Sequence, residues 1–327
     1  MTNTPSIEDV RRIATQCNNW GRWGDDDEIG TLNLLTADNV LAGKACIRRG
    51  HVISLALPYD KAGPQGGGGW GRFNPIHLML RDGGDAITGA TVRDYYGGKD
   101  GYVRGNDDII IMPLQCGTQW DALAHMIFEE KMYNGFDANL VSSAGALRND
   151  IAKAREKLVG RGVLLDVARY KGKPWLDGGE VITGDDLEGC ASQQGVEIGS
   201  GDIVLVRTGQ MGQVRDRGGW GDYAAGYSAK APGLGLDSVM WIHGKDLAAV
   251  ATDTWGAEVL PNETPDVSMP LHILLITQMG LTLGEIFDLE ALAEDCAEDG
   301  VYEFFFAAPP LPFTRAVGSP INPVAVK

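Results

Sequence analysis

Hydrophobic and polar positions recur with two different periods along this chain, and the points where the period changes mark its elements. In "SIEDVRRIATQC" the residues Ile7, Val10, Ile13 and Ala14 follow a capping serine at helical spacing, which predicts a surface helix. "TADNVLAGKACIRRG" predicts a second helix, capped by Thr36 and ended by Gly50. "WGRWGDDDEIGTLNLLT" between them is too rich in Gly and Asp to be helical. "HVISLAL" reads as a strand, and "DKAGPQGGGGWGRFNP" as a long flexible loop. From Asp108 the pattern gives a strand ("IIIMPL"), a helix ("NDIAKAREKLVG"), a strand ("GVLLDVA") and a Thr183-capped helix ("TGDDLEGCASQQG"). A strand ("DIVLVRTG"), a helix-like stretch ("GLDSVMWIHGKD"), the strand "LAAVATD", an apolar segment around "LHILLITQMG" and another short helix follow.

Strands and helices alternate with no composition break, Pro-rich linker or internal repeat, so the expected fold class is α/β, one domain over residues 1–327. Residues 1–50 form its helical N-terminal extension. The apolar, Pro-rich tail over 305–327 is expected to pack on the body or on a neighbouring subunit.

Composition narrows the function. With 44% hydrophobic and 22% charged residues the chain has the balance of a soluble globular protein. A formal charge of −16 and a pI near 4.7 argue against nucleic acid and anionic membranes as partners. Five scattered cysteines form no C-x-x-C pair and read as reduced thiols. The N-terminus lacks a basic start followed by an apolar stretch, and no run approaches the ~18 apolar residues of a membrane span, so the expected location is the cytoplasm.

The glycine-rich loop has neither the Gly-Lys-Ser/Thr of a phosphate loop nor the strand-to-helix setting of a dinucleotide fingerprint, so no nucleotide cofactor is expected. "GYSAK" lacks the second glycine of a nucleophile elbow. Cys116 is either a thiol nucleophile or a small buried hydrophobe. Metal chemistry has better material in "QCGTQWDALAH", where Gln115, Gln119 and Asp121 could converge on one ion after a strand, with His125 beside them as ligand or proton carrier. A hydrogen-bonded loop is the alternative. His272 and Glu285 bracket an apolar stretch and are either two further ligands or a buried, satisfied pair. His51 and His243 read as surface or capping residues. His77 follows a loop long enough to reach a pocket, and Trp20 and Trp23 either pack on the body or stack on a planar substrate.

"QCGTQWDALAH" resembles the signature of the metal-dependent cyclase-like hydrolases, the group of bacterial kynurenine formamidase and isatin hydrolase: His-x-Gly-Thr-His-x-Asp-x-Pro-x-His. The likeness extends to "RGVLLDVARYKG", "GDIVLVRTG", "ATDTWGAEVLP" and "HILLITQMGLTLGEI", from about Gly105 to about Leu292. It implies a swivelling β/β/α-type domain, Asp121 as a metal ligand, His125 as acid/base, His272 and Glu285 as distal ligands, and a homodimer or homotetramer. Gln115 and Gln119 stand where that signature has histidines, and Leu123 where it has proline. The resulting donor set is oxygen-rich, suited to one divalent ion, Mn or Zn with Mg as a further option. A single ion, a weakened pair and no metal at all remain open. The implied activity is a hydrolase opening a small cyclic or conjugated amide, imide or lactone with metal-activated water, its flat pocket lined by Trp20, Trp23, Trp120 and His77. The rivals are a cyclase or dehydratase acting on a polyketide-like ligand, and a non-catalytic small-molecule binder.

Overall fold

The computed structural model describes residues 4–67, 71–89 and 105–327; residues 68–70 of the glycine-rich loop lie outside them. The strands used below are β1 (Val52–Ser54), β2 (Ile76–Arg81), β3 (Asp107–Ile111), β4 (Gln119–Asp121), β5 (Val159–Asp166) and β6 (Ile203–Arg207). They continue with β7 (Ala249–Thr252), β8 (Thr282–Glu285), β9 (Glu303–Ala307), β10 (Gly318–Pro320) and β11 (Val324–Val326). Nine of them form one curled mixed sheet in the order β1-β11-β9-β5-β6-β7-β8-β4-β10. The central run from β5 to β8 is parallel and the flanking pairs are antiparallel.

Strands β6 and β7 and the second half of β5 are near-continuous apolar runs because both of their faces are covered. Val163, Leu165, Val204, Val206 and Val250 point to one face. There they meet α1 (Ile7–Gln16), α3 (Gly184–Gln194) and α4 (Ser238–Gly244) through Val10, Ile13, Leu187, Val239 and Ile242. The alternate residues Leu164, Ile203, Leu205, Ala249 and Ala251 point to the other face, against Leu292, Ala293 and Cys296 of α5 (Glu290–Asp299) and against Phe304 and Phe306. Helix α2 (Ala37–Ala45) lies directly on β5: a Cβ on Gly43 would come within 2.3 Å of the Gly160 carbonyl oxygen.

Several elements differ from their sequence expectation. Helix α2 ends at Ala45, short of Gly50, with Cys46 as its C-cap. "NDIAKAREKLVG" forms one 3-10 turn over Ile151–Ala154, because Leu158 takes a left-handed backbone (φ 64°) that turns the chain into β5 at Val159. "IIIMPL" contributes β3, which pairs with β2 in a separate ribbon whose Leu78, Leu80, Ile109 and Ile111 are exposed. Its apolar run imitates a core strand, yet it does not enter the main sheet. The tail does more than pack: it supplies β9 (from Glu303), β10 and β11, the last two on either side of the sheet. Among the described residues no helix is long and apolar enough to cross a membrane.

Candidate metal centre

The motif's own short strand, β4, lies between β8 and β10 in antiparallel register, with Glu285 opposite Gln119 and Gly318 opposite Asp121. The glycine and threonine before it fix its entry. A Cβ on Gly117 would meet the Tyr59 ring at 2.8 Å, and the Thr118 hydroxyl donates to the Ile286 carbonyl at 2.6 Å while accepting from the Leu57 amide. Alternation along the strand then turns Gln119 and Asp121 to one face and Trp120 to the other. Trp120 is wholly buried, edge-on to Phe287 and Phe306, with its indole N–H on the Ala308 carbonyl. It is a core residue, which corrects its expected place in a substrate pocket.

On the Asp121 face four side chains gather. His272, fully buried, immediately precedes a π-helix over Ile273–Met279 whose wide turn closes at Gly280. Its Nε2 lies 3.0 Å from Glu285 Oε1, and the Gln119 amide nitrogen donates to Glu285 Oε2 at 2.7 Å. Ligand atoms of Asp121, His272 and Glu285 lie within 4.8 Å of one another. Both Asp121 oxygens and the Gln119 amide oxygen are buried without a hydrogen-bond partner. A buried, unpartnered carboxylate carries a large desolvation cost, and a divalent cation is the group that would relieve it. The residues therefore fit an ion held by Asp121, His272 and Glu285, with the Gln119 oxygen in reach of the same space.

Burial raises the Asp121 carboxyl above the usual carboxylate range; His125 opposes this shift and Glu285 adds to it. Burial works against a charge on His272, but the hydrogen bonds it donates to its two glutamates outweigh this and lift the imidazole to about 10. An ion at Nε2 would thus take the place of a proton shared with Glu285. His125 goes the other way: burial lowers its pKa, with Arg72 and His272 helping and Asp121 opposing. It is neutral near pH 7.

The two glutamines divide. Gln115 turns its amide nitrogen to His125 Nδ1 at 3.1 Å and to the Val317 carbonyl at 3.3 Å. An amide N–H can only donate, so Nδ1 accepts and the proton of neutral His125 sits on Nε2, 3.9 Å from Asp121 Oδ1. Gln115 orients the histidine, while Gln119 faces the carboxylates.

Five nearby residues escaped the sequence reading: Glu258, Asn262, Tyr227, Arg72 and Trp255. Glu258 Oε1 holds His272 Nδ1 at 2.5 Å, and its Oε2 accepts from the Asn262 amide at 2.9 Å, which fixes the imidazole so that Nε2 faces the cluster. Its signal was a lone acid in the otherwise apolar "WGAEVLP". The Tyr227 hydroxyl is 3.4 Å from His272 Nε2, and Arg72 stacks over Trp255 at 5.1 Å. The other expected pocket residues are placed elsewhere. Trp20 donates to the Thr277 carbonyl and borders a surface groove with Asn18, Phe128 and Gln278. Trp23 is covered by Arg22, and His77 is exposed on the β2–β3 ribbon, paired with Asp108 at 2.9 Å. Burial pushes the Cys116 thiol up to about 11, so it is no thiolate nucleophile at neutral pH.

Comparison with known proteins gives the family and the fold. The family model described as "putative cyclase" matches residues 46–259. A crystal structure described as a novel cyclase shares 40% identity over 95% of this chain and 100% of its own, with a TM-score of 0.86. Isatin hydrolase A from Ralstonia solanacearum shares the fold at 19% identity and TM-score 0.57, over 89% of this chain and 97% of that one. Isatin hydrolase A from Labrenzia aggregata does so at 17% identity and TM-score 0.57, over 88% and 97%. No curated protein matches the chain in sequence. By the family model and the likeness to the novel cyclase over nearly its whole length, the chain belongs to the cyclase family.

Proposed function

We propose that the protein is a metal-dependent hydrolase that opens a small cyclic or conjugated amide, imide or lactone. The observation that carries this reading is the buried cluster of Asp121, Gln119, His272 and Glu285, in which both Asp121 oxygens lack a partner. A divalent ion, Mn or Zn by preference and Mg as a further option, would supply Lewis acidity toward a carbonyl oxygen and toward water. The chain's residues do the rest. Asp121, His272 and Glu285 provide the negative charge and the imidazole that hold it, and Glu258 keeps His272 aimed. His125, neutral, takes a proton from the attacking water and, as the imidazolium, returns one to the leaving nitrogen or oxygen. Kinship with a hydrolase fold supports an enzyme.

The test is elemental analysis of protein purified without chelator, combined with assay of a panel of aromatic lactones and cyclic imides. About one divalent ion per chain is expected, with ring opening that is lost on chelation and restored by the ion. H125A should retain the ion and lose roughly 10²- to 10⁴-fold in turnover. No bound ion after soaking with Mn, Zn and Mg, together with no hydrolysis, would overturn the reading.

A further inference from the structure

Beside the metal cluster two strong hydrogen-bond donors are buried with nothing to donate to. The Nη1 group of Arg72 and the indole Nε1 of Trp255 both lack a partner. They belong to one assembly, since the Arg72 guanidinium lies over the Trp255 ring, 5.1 Å from its centroid. Among the described residues no carboxylate pairs with Arg72. This is not for want of acids, because the chain carries 44 of them against 28 Lys and Arg. A guanidinium is a planar fork made for a carboxylate, and leaving such donors buried and unmet is costly.

The assembly is built into the walls of the site. Trp255 is 3% exposed and pressed against Gly226, where a Cβ would sit 3.1 Å from the indole. Tyr227 meets the indole edge-on at 5.2 Å and reaches His272 Nε2 with its hydroxyl at 3.4 Å. The Arg72 charge is close enough to act on Asp121 and on His125. One aromatic side chain therefore separates the unmet donors from the cluster.

We propose that Arg72 and Trp255 form a subsite for a carboxylate carried by the substrate beside the bond that is broken. This rests on the hydrolase reading and sharpens it: the substrate class is an acid-bearing cyclic amide, imide or lactone, and Arg72 determines specificity. The acid takes a two-pronged contact from Arg72 and a third from the Trp255 N–H, and Tyr227 lies between it and the reacting carbonyl.

The test uses the full chain with its metal and two readouts. By calorimetry, benzoate should bind at least tenfold more tightly than benzamide. R72A should erase that preference, R72K should keep part of it, and W255F should weaken benzoate several-fold without affecting benzamide. In kinetics, 4-carboxyphthalimide should exceed phthalimide in kcat/KM, with the ratio falling about 100-fold in R72A through KM at little change in kcat. A merely structural arginine would lower both substrates alike. Equal binding of benzoate and benzamide, or a ratio untouched in R72A and R72K, overturns the subsite. If neutral and acidic imides open equally well, the subsite falls and the hydrolase stands. Arg72-dependent benzoate binding by a protein that holds no divalent ion and opens neither imide nor lactone retains the subsite and removes the hydrolase.

Discussion

Glu258 shows how a single side chain can govern a site it does not enter. It grips His272 Nδ1 from behind at 2.5 Å, so the imidazole can neither rotate nor present the wrong nitrogen to Asp121 and Glu285. E258Q keeps the acceptor oxygen and removes the charge that makes the imidazole a good donor. It should leave the fold intact and weaken divalent-ion affinity about 10- to 100-fold, measured by competition with a chelating dye. Unchanged affinity would mean that His272 does not hold the ion. At this scale the sequence was legible wherever a residue's chemistry stood out: Asp121, His125, His272 and Glu285 are rare polar groups in apolar runs. It was less legible where orientation decides. Trp120 sits between Gln119 and Asp121, and strand alternation alone sends it to the opposite face, an inference available as soon as "QWD" is read as a strand. Gln115 and Gln119 look equivalent in the motif, and only the approach of His125 to one and Glu285 to the other separates them.

Strands β5, β6 and β7 were readable as elements because full burial leaves an unmistakable run of β-branched and aliphatic residues, whereas β8, Thr-Leu-Gly-Glu, carries no such run and was not. Helices α1 and α3 carry capping boxes at Ser6 and Thr183 that mark where they begin. What the periodicity could not convey is pairing: β3 has the composition of a central strand and forms an outlying ribbon, and the short β4 and β10 are too brief to show any period. The π-helix that follows His272 is likewise invisible to a 3.6-residue pattern, because it widens the turn within a wholly buried, mostly apolar segment. Its end is fixed sterically. Gly280 adopts φ +71° and a Cβ there would stand 2.3 Å from the Tyr133 ring, while the Gly280 carbonyl accepts from the Thr31 amide at 2.9 Å. G280A combines a left-handed backbone with overpacking and should cost roughly 3 kcal/mol or more in urea unfolding. It should also loosen His272, visible as weaker ion binding. A loss below about 1 kcal/mol would show that the turn can relax.

Across the whole molecule the cluster is an electrostatic liability that folding has to carry. Asp121, Glu258 and Glu285 are buried around one imidazole, inside a chain whose net charge is already −16. The apolar faces of the nine-stranded sheet hold these groups together despite their repulsion, as stability is commonly given up to keep a functional site in place. A cation that binds only the folded state should return part of that loss, about 2.7 kcal/mol at a hundredfold excess over Kd. For a chain of this length that corresponds to a rise in Tm on the order of 5 °C. D121N separates the two contributions, since it removes the charge whose burial raises the Asp121 pKa and with it a ligand of the ion. Without a divalent cation D121N should melt above the wild-type chain. With saturating Mn²⁺ the order should reverse, because only the wild type gains. Thermal melts in chelator and in Mn²⁺ measure both arms. Parallel shifts of the two proteins would place the ion elsewhere, and a D121N protein less stable than wild type in chelator would mean that the buried carboxylate is satisfied without a metal.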